Sequence, residues 1–245
     1  MPVYFTRPNF VHSRFIWVLN TVTYTVDKVR RAGFDFYQYI TVQVDKRLFA
    51  FKESCHETGW VLYSSLESEK ISKITKKSPR LAREWLSLVN FKDEFVLATG
   101  GHSLMPRSSV EAYSVTDDIW SEAPSLNRKR CSHSSCALDS RVYVFGGQAL
   151  NKGKDWVNLN SIEWLDAARW FEGHQTQWFL IRPAKALIKA RATSLFCAIS
   201  SSELLIMGGY EDNGELIRDF IMFDTTSGNI EPILLSEKPF SCNHS

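Results

Sequence analysis

The stretch Arg130-Cys-Ser-His-Ser-Ser-Cys-Ala-Leu-Asp-Ser-Arg-Val-Tyr-Val-Phe-Gly-Gly147 decides how the chain is read. Its apolar run closes on a glycine pair, and two other runs close the same way: Phe95-Val-Leu-Ala-Thr-Gly-Gly101 and Glu203-Leu-Leu-Ile-Met-Gly-Gly209. A word that returns every few dozen residues marks a repeat architecture. Within the words the side chains alternate with period two. Val96, Ala98, Val142 and Val144 interleave with Leu97, Thr99, Tyr143 and Phe145, the pattern of strands buried on both faces.

Working outward, each glycine pair is followed by a loop and a second apolar run: Ser109–Val115, Ser161–Leu165 and Asp219–Phe223. A tryptophan or other hydrophobe follows at Trp120, Trp178 and Ile230, then a turn. A strand of small residues comes next, Cys131–Leu138 and Ala192–Ile199. Four short strands per unit predict an all-β fold of propeller blades. Glycine at the strand end opens backbone angles closed to other residues and lets a neighbouring chain approach.

The segment Arg130 to Gly147 with Asn160-Ser-Ile-Glu-Trp164, and the order Gly-Gly, Tyr113, Trp120, resemble the kelch repeat family. The resemblance is specific over residues 80–225. Asp45-Lys-Arg-Leu-Phe-Ala-Phe51 aligns with Asp139–Phe145, but Lys52-Glu53 replaces the glycines, and Ser13–Leu19 reads as a more eroded copy. The expectation is one kelch-type β-propeller domain over 1–245, with degenerate blades in 1–79. Lys238–Ser245 resembles Asn127–Ser134 and offers a closing strand over 238–245. Two architectures remain open: a ring of about five four-stranded blades, or an incomplete ring.

Bulk properties narrow the function. The 245 residues carry 44% hydrophobic and 23% charged side chains with a net charge of +2, ordinary for a globular protein and no argument for nucleic acid. Phe15–Leu19 is too short for a membrane span, and no signal-peptide pattern precedes it. Five cysteines without a CxxC pair fit a reducing compartment, so a cytoplasmic location is expected. The six histidines form no HxH or HExxH cluster, and no phosphate loop or Ser-His-Asp constellation stands out. No cofactor, no metal site and no catalysis are expected.

In the strand order that the resemblance implies, loops after the glycine pairs share a face with the turns that lead into the small-residue strands. Those turns are basic: Lys73–Arg80, Arg128-Lys-Arg130 and Arg182–Lys189, joined by Lys152 and Lys154 in the insertion Ala149–Leu159. Glu211, Asp212 and Glu215 are an acidic exception, while Asp117 and Asp118 belong to turns at the opposite end. A basic rim would draw an acidic or phosphorylated segment of a protein partner. Arg83, Arg130 and Arg191 recur 17, 16 and 17 residues ahead of Gly100, Gly146 and Gly208. The resemblance implies that such arginines can line a central pocket and hold a carboxylate; the other reading is that each pins its own turn. The candidate partner-binding set is therefore Arg83, Arg130, Arg191, Lys152, Lys154 and Lys185. An aromatic stretch, Trp164 to Phe179, reads as blade packing at Trp164 and Trp178. Trp170 and Phe171 are open between packing in a loop and a docking lip. The function expected is a non-catalytic protein-interaction module. The alternatives are a propeller enzyme or sugar-binding protein acting at the channel mouth, and a truncated kelch protein.

Overall fold

The computed structural model describes residues 81–183 and 188–233 continuously, and before them only the strand segments of residues 2–76 with the turn residue Asp45. Residue contacts divide the chain into two compact units, 1–79 with 235–245, and 80–234. Lys185 and the candidate closing strand over 238–245 lie outside the described residues.

The unit 80–234 is built of three four-stranded antiparallel sheets, each a meander in which sequence neighbours pair. The first comprises Ser87–Phe91, Phe95–Thr99, Val110–Ser114 and Ile119–Ala123. The second comprises Ser134–Leu138, Arg141–Phe145, Ile162–Asp166 and Phe179–Ile181. The third comprises Leu195–Ala198, Glu203–Met207, Phe220–Asp224 and Ile230–Pro232. The expected blades are therefore present, all-β and propeller-like, with each glycine pair at the end of a second strand.

Alternation decides what each face touches. In the second sheet Val142 and Val144 join Leu97, Val110 and Ala112 of the first, while Tyr143 and Phe145 join Phe196, Leu204 and Ile206 of the third. Each fully buried side chain of this size contributes about 1.5–3 kcal/mol through loss of water contact, so the middle sheet binds its two neighbours together. Trp178, three per cent exposed, seals the first interface and donates its indole N–H to Pro124 O at 2.6 Å.

The degenerate repeat keeps the blade pattern without its glycines. Tyr39–Val44, Arg47–Lys52, Trp60–Tyr63 and Lys73–Lys76 form a four-stranded sheet in the other unit. Val44 pairs with Arg47 as Leu138 pairs with Arg141, and the turn residues Asp45 (φ 51°) and Asp139 (φ 52°) share a left-handed backbone. Aspartate tolerates that conformation because its short side chain bonds locally. Lys73–Lys76, read above as part of a basic turn, is instead the fourth strand, and lysines at both its ends suit a sheet edge. Phe15–Asn20 is the middle strand of a separate three-stranded sheet.

A short helix, Ala167–Phe171, stands where a loop is expected between the third and fourth strands of the second sheet. Asp166 caps it, accepting from Arg169 N at 3.2 Å. The helix lays Phe171 on Phe95 and Phe91 of the first sheet, with ring centroids 3.7 and 5.5 Å apart. Phe171 is thus packing rather than a lip.

Candidate functional site

The recurring arginines begin each blade, and the structure corrects their assignment as partner contacts. Arg83, Arg130 and Arg191 are all fully buried. Arg130 donates to Gly146 O at 2.7 Å, Ser161 Oγ at 3.0 Å and Glu163 Oε1 at 2.6 Å. Arg83 repeats the arrangement on Gly100 O, Ser109 O and Glu111 Oε2. Arg191 holds Gly208 O and both carboxylate oxygens of Asp219. Each guanidinium is thus spent on its own blade, clamping the glycine corner to the third strand, with no donor turned outward to a ligand. Desolvation lowers Arg83 to about 10 and pulls Arg130 down, against the opposing pull of Glu111 and Glu163. The carboxylate and carbonyl acceptors offset that cost, although Nε of Arg83 and of Arg130 is buried without a hydrogen-bond partner.

The acids in these clamps escaped the reading of the sequence, although a signal was there. Ser109-Val-Glu111 and Ser161-Ile-Glu163 repeat a serine and an acid two positions apart, on one face of a strand. The third blade moves the acid to the serine position: Asp219 accepts from Gly208 N as Ser109 and Ser161 accept from Gly100 N and Gly146 N. Glu163 goes further and ties two blades, accepting from Asn127 N at 2.6 Å and Arg128 N at 3.1 Å.

The glycine pairs make the blade junctions. Gly101 N donates to Arg130 O, and Gly147 N to Arg191 O, both at 2.9 Å. A Cβ on Gly147 would stand 2.5 Å from Cys131 O, so only glycine permits this approach. Between the glycine corners lies His133, buried, with Nε2 2.9 Å from Thr99 Oγ1. Burial, then Arg130 and Arg83, push its pKa well below the ordinary range. The cysteines Cys131, Cys136 and Cys197 are free thiols, and among the described residues no group of three His, Cys, Asp or Glu is placed to hold a metal.

The loops after the glycine pairs do share one face with the turns before the first strands. The bridges Glu84↔His102, Cys131↔Gln148 and Ala192↔Tyr210 join them directly. The first loop folds into the hairpin His102–Ser103 with Met105–Pro106, the second into Gln148–Leu150 with Trp156–Asn158. Lys152 and Lys154 stand exposed at the tip of the second hairpin. Arg107, beside Arg130, makes no ion pair among the described residues, and its Nε is buried without a hydrogen-bond partner. The third loop is acidic, but Glu211 is engaged by Lys189 at 2.6 Å and Asp212 accepts from Asn158 N at 2.6 Å. The rim is thus basic at the first and second blades and closed by salt bridge and hydrogen bond at the third.

Apolar exposure gathers on the same face. Of the ten large hydrophobic side chains exposed among the described residues, six stand there: Trp85, Leu104, Met105, Trp156, Tyr210 and Leu216. Sequence reading singled out none of them, because their neighbours on the surface come from separate loops.

Four-stranded meanders, each locked by a glycine corner and a buried arginine, define the blades of a propeller-type repeat protein. Residues 129–169 match the family model described as the Kelch motif. The chain is also similar to an F-box/kelch-repeat protein of Arabidopsis thaliana, 31% identical over 121 residues, which is 49% of this chain and 28% of that protein. Residues 129–169 are thus a kelch motif within an all-β, propeller-like fold, and kelch repeats serve in general as protein-interaction modules. Among the described residues no helix is long and apolar enough to cross a membrane.

Proposed function

We propose that the chain is a non-catalytic module that grips a partner protein on the loop face, using the first and second post-glycine hairpins. The observation that carries this reading is the gathering of six exposed large hydrophobic side chains on one face. Apolar patches rimmed by polar groups mark interaction sites, whereas scattered single hydrophobes need no explanation. Lys152 and Lys154 supply charge at the rim and favour an acidic or phosphorylated segment, since each ammonium is exposed and free to steer an anionic chain. Lys185 stays a candidate from sequence only. The free thiols Cys131, Cys136 and Cys197 support a reducing, cytoplasmic setting.

The test is affinity purification with quantitative mass spectrometry, comparing wild type with Lys152→Glu/Lys154→Glu. Partners that depend on the rim fall away from the charge-reversed variant, and an unchanged set of partners rejects it. Salt gives a second readout, because capture steered by exposed lysines weakens as ionic strength rises.

A further inference from the structure

At the end of the blades away from the glycine corners, the two junctions of the unit 80–234 are filled differently. There each third strand enters its turn with the same main-chain bond: Val115 N donates to Glu94 O, Ala168 N to Ser140 O and Thr225 N to Ser202 O. The three turns therefore occupy matching places. Between the first and second blades, the space beside Phe95 is taken by Phe171 of the helix Ala167–Phe171, ring centroids 3.7 Å apart. The third blade has no such helix, and only residues 225–229 join its last two strands. Between the second and third blades the matching space is a cavity of about 430 Å³, lined by Arg141 and Tyr143 on one side and by Ser201, Thr225 and Thr226 on the other.

The chemistry of the lining changes with the space. Leu138 pairs with Arg141 as Phe91 pairs with Phe95, so Arg141 stands where the first blade has Phe95, and Tyr143 where it has Leu97. Polar groups thus replace apolar ones at a blade junction. Tyr143 is only 2% exposed, yet its hydroxyl has no hydrogen-bond partner among the described residues. Buried polar groups are nearly always paired, so an unpaired one that opens on a cavity calls for a ligand or water. Arg141 lays its guanidinium on the Trp164 ring, 4.3 Å from the centroid, and makes no ion pair among the described residues. Stacking fixes the plane of the fork and leaves its N–H edge for an acceptor lying in that plane.

The remaining groups define what the cavity accepts. The hydroxyls of Ser201 and Thr226 have no partner among the described residues, whereas Thr225 Oγ1 is held by Ser202 O at 2.9 Å. Asp139, on the turn before Arg141, brings the one carboxylate of the lining. Two further acids stand nearby but are engaged: Glu203 accepts from Ser200 Oγ, and Asp224 from Thr226 N and Ser227 N. We propose that this cavity binds a small hydroxylated anion. Its carboxylate or phosphate group lies on the Arg141 fork and the Tyr143 hydroxyl, and its own hydroxyls donate to Asp139 and exchange hydrogen bonds with Ser201 and Thr226. One guanidinium set against one carboxylate favours a ligand with a single anionic group over a polyanion. The volume suits a molecule of monosaccharide size rather than a bare ion. The cavity lies at the end opposite to the loop face, so this inference stands apart from the partner-binding reading.

The test is isothermal titration calorimetry of the purified full chain with gluconate, glucose 6-phosphate and glucose. One of the two anions should bind saturably and glucose should not, and the tighter anion shows whether the site takes carboxylate or phosphate. Tyr143→Phe removes one oxygen and keeps the ring, and it should weaken that anion at least about tenfold, the size of a hydrogen bond to a charged group. Arg141→Gln should do the same or more, and Lys152→Glu/Lys154→Glu should bind as wild type. Thermal melts that match wild type show that the variants fold. The proposal is overturned if glucose binds as well as the anions or if neither anion binds at millimolar concentration. It is equally overturned if Tyr143→Phe binds as wild type or if the loop-face lysine variant loses the anion.

Discussion

Glu163→Ala is expected to be the most damaging single change in the unit 80–234 that removes no apolar contact. Glu163 and Arg130 are both fully excluded from water, 2.6 Å apart. Removing the carboxylate leaves a buried guanidinium without its counter-charge, which costs about 3–5 kcal/mol. It also strips the acceptor from Asn127 N and Arg128 N, the link to the turn that leads into the same blade. Each orphaned N–H adds up to about 1–3 kcal/mol where water cannot reach it. Against a typical domain stability of about 5–15 kcal/mol, that is enough to leave the unit marginal or unfolded. Arg191–Asp219 is the internal control, because Asp219 is 37% exposed and water can rehydrate what its loss leaves behind. Arg191 itself is fully buried, so Asp219→Ala should cost more than the loss of an exposed pair but less than Glu163→Ala, where neither partner has a route to water. Arg130→Met should cost less than Glu163→Ala, since the two backbone donors still hold the carboxylate. The double variant Arg130→Met/Glu163→Leu should recover the part of the loss owed to the unpaired charge, but not the part owed to Asn127 N and Arg128 N, which lose their acceptor in it too. The assay is urea unfolding followed by near-ultraviolet circular dichroism, with a double-mutant cycle for each pair. A coupling energy below about 1 kcal/mol for Arg130–Glu163, or equal losses for Glu163→Ala and Asp219→Ala, would refute the clamp as a buried charge pair.

Acid should weaken the junction of the first two blades through His133. Burial beside Arg130 and Arg83 holds its folded pKa well below the ordinary value, so the unfolded chain binds the extra proton. Its contribution is complete above about pH 6.5 and is lost as pH falls from there toward the folded pKa, at about 1.4 kcal/mol per pH unit. Melts at pH 7 and 5 should show a smaller loss for His133→Gln than for wild type, and parallel losses would contradict this. Gly147→Ala should destabilise far more than Gly173→Ala: both have φ of 87°, but a Cβ at 147 meets Cys131 O at 2.5 Å and one at 173 meets nothing within 4 Å. The shared backbone strain is about 1–2 kcal/mol, and the clash adds about 1–3 kcal/mol; equal shifts in urea midpoint would argue against the close approach. Burial raises the thiol of Cys131 to about 11 and pushes Cys136 and Cys197 upward. These three should therefore alkylate at pH 8 at least about tenfold slower in the folded chain than in urea, read by peptide mass spectrometry. Fast native labelling of Cys136 would show that the strand is not packed as described.

The blades were legible because their determinants are local. Period-two alternation at Val142 to Phe145 and a glycine pair at its end are read within seven residues, and the strand Arg141–Phe145 falls where they place it. Asp45 was legible for the same reason, as a turn residue that survives the loss of the glycines. The arginine clamps were half legible. Their spacing showed in the chain, but what they bind lies 28, 33 and 28 residues further on, at Glu111, Glu163 and Asp219. Local pattern cannot tell a guanidinium turned inward from one turned outward; the Ser-x-Glu word two strands later can. The helix Ala167–Phe171 was read as a loop although Asp166 before Ala167-Ala168 is a capping signal, and its purpose depends on Phe95 and Phe91, more than seventy residues earlier. The ring contacts of Trp85 and Trp156 with His102 were the least legible feature, since the three residues belong to three different loops.

This difference in legibility has a physical cause that also separates scaffold from surface. A residue type that returns in every blade answers a demand that every blade makes: closing a glycine corner, filling a wedge, pairing a buried charge. Arg83, Arg130 and Arg191 return, and all three are buried within their own blades. A residue that breaks the repeat at a position where its sisters suffice answers some other demand. Trp85 breaks it beside Ser132 and Thr193, and the hairpin carrying Lys152, Lys154 and Trp156 breaks it by its length and charge. Both departures meet at the His102 ring on one face.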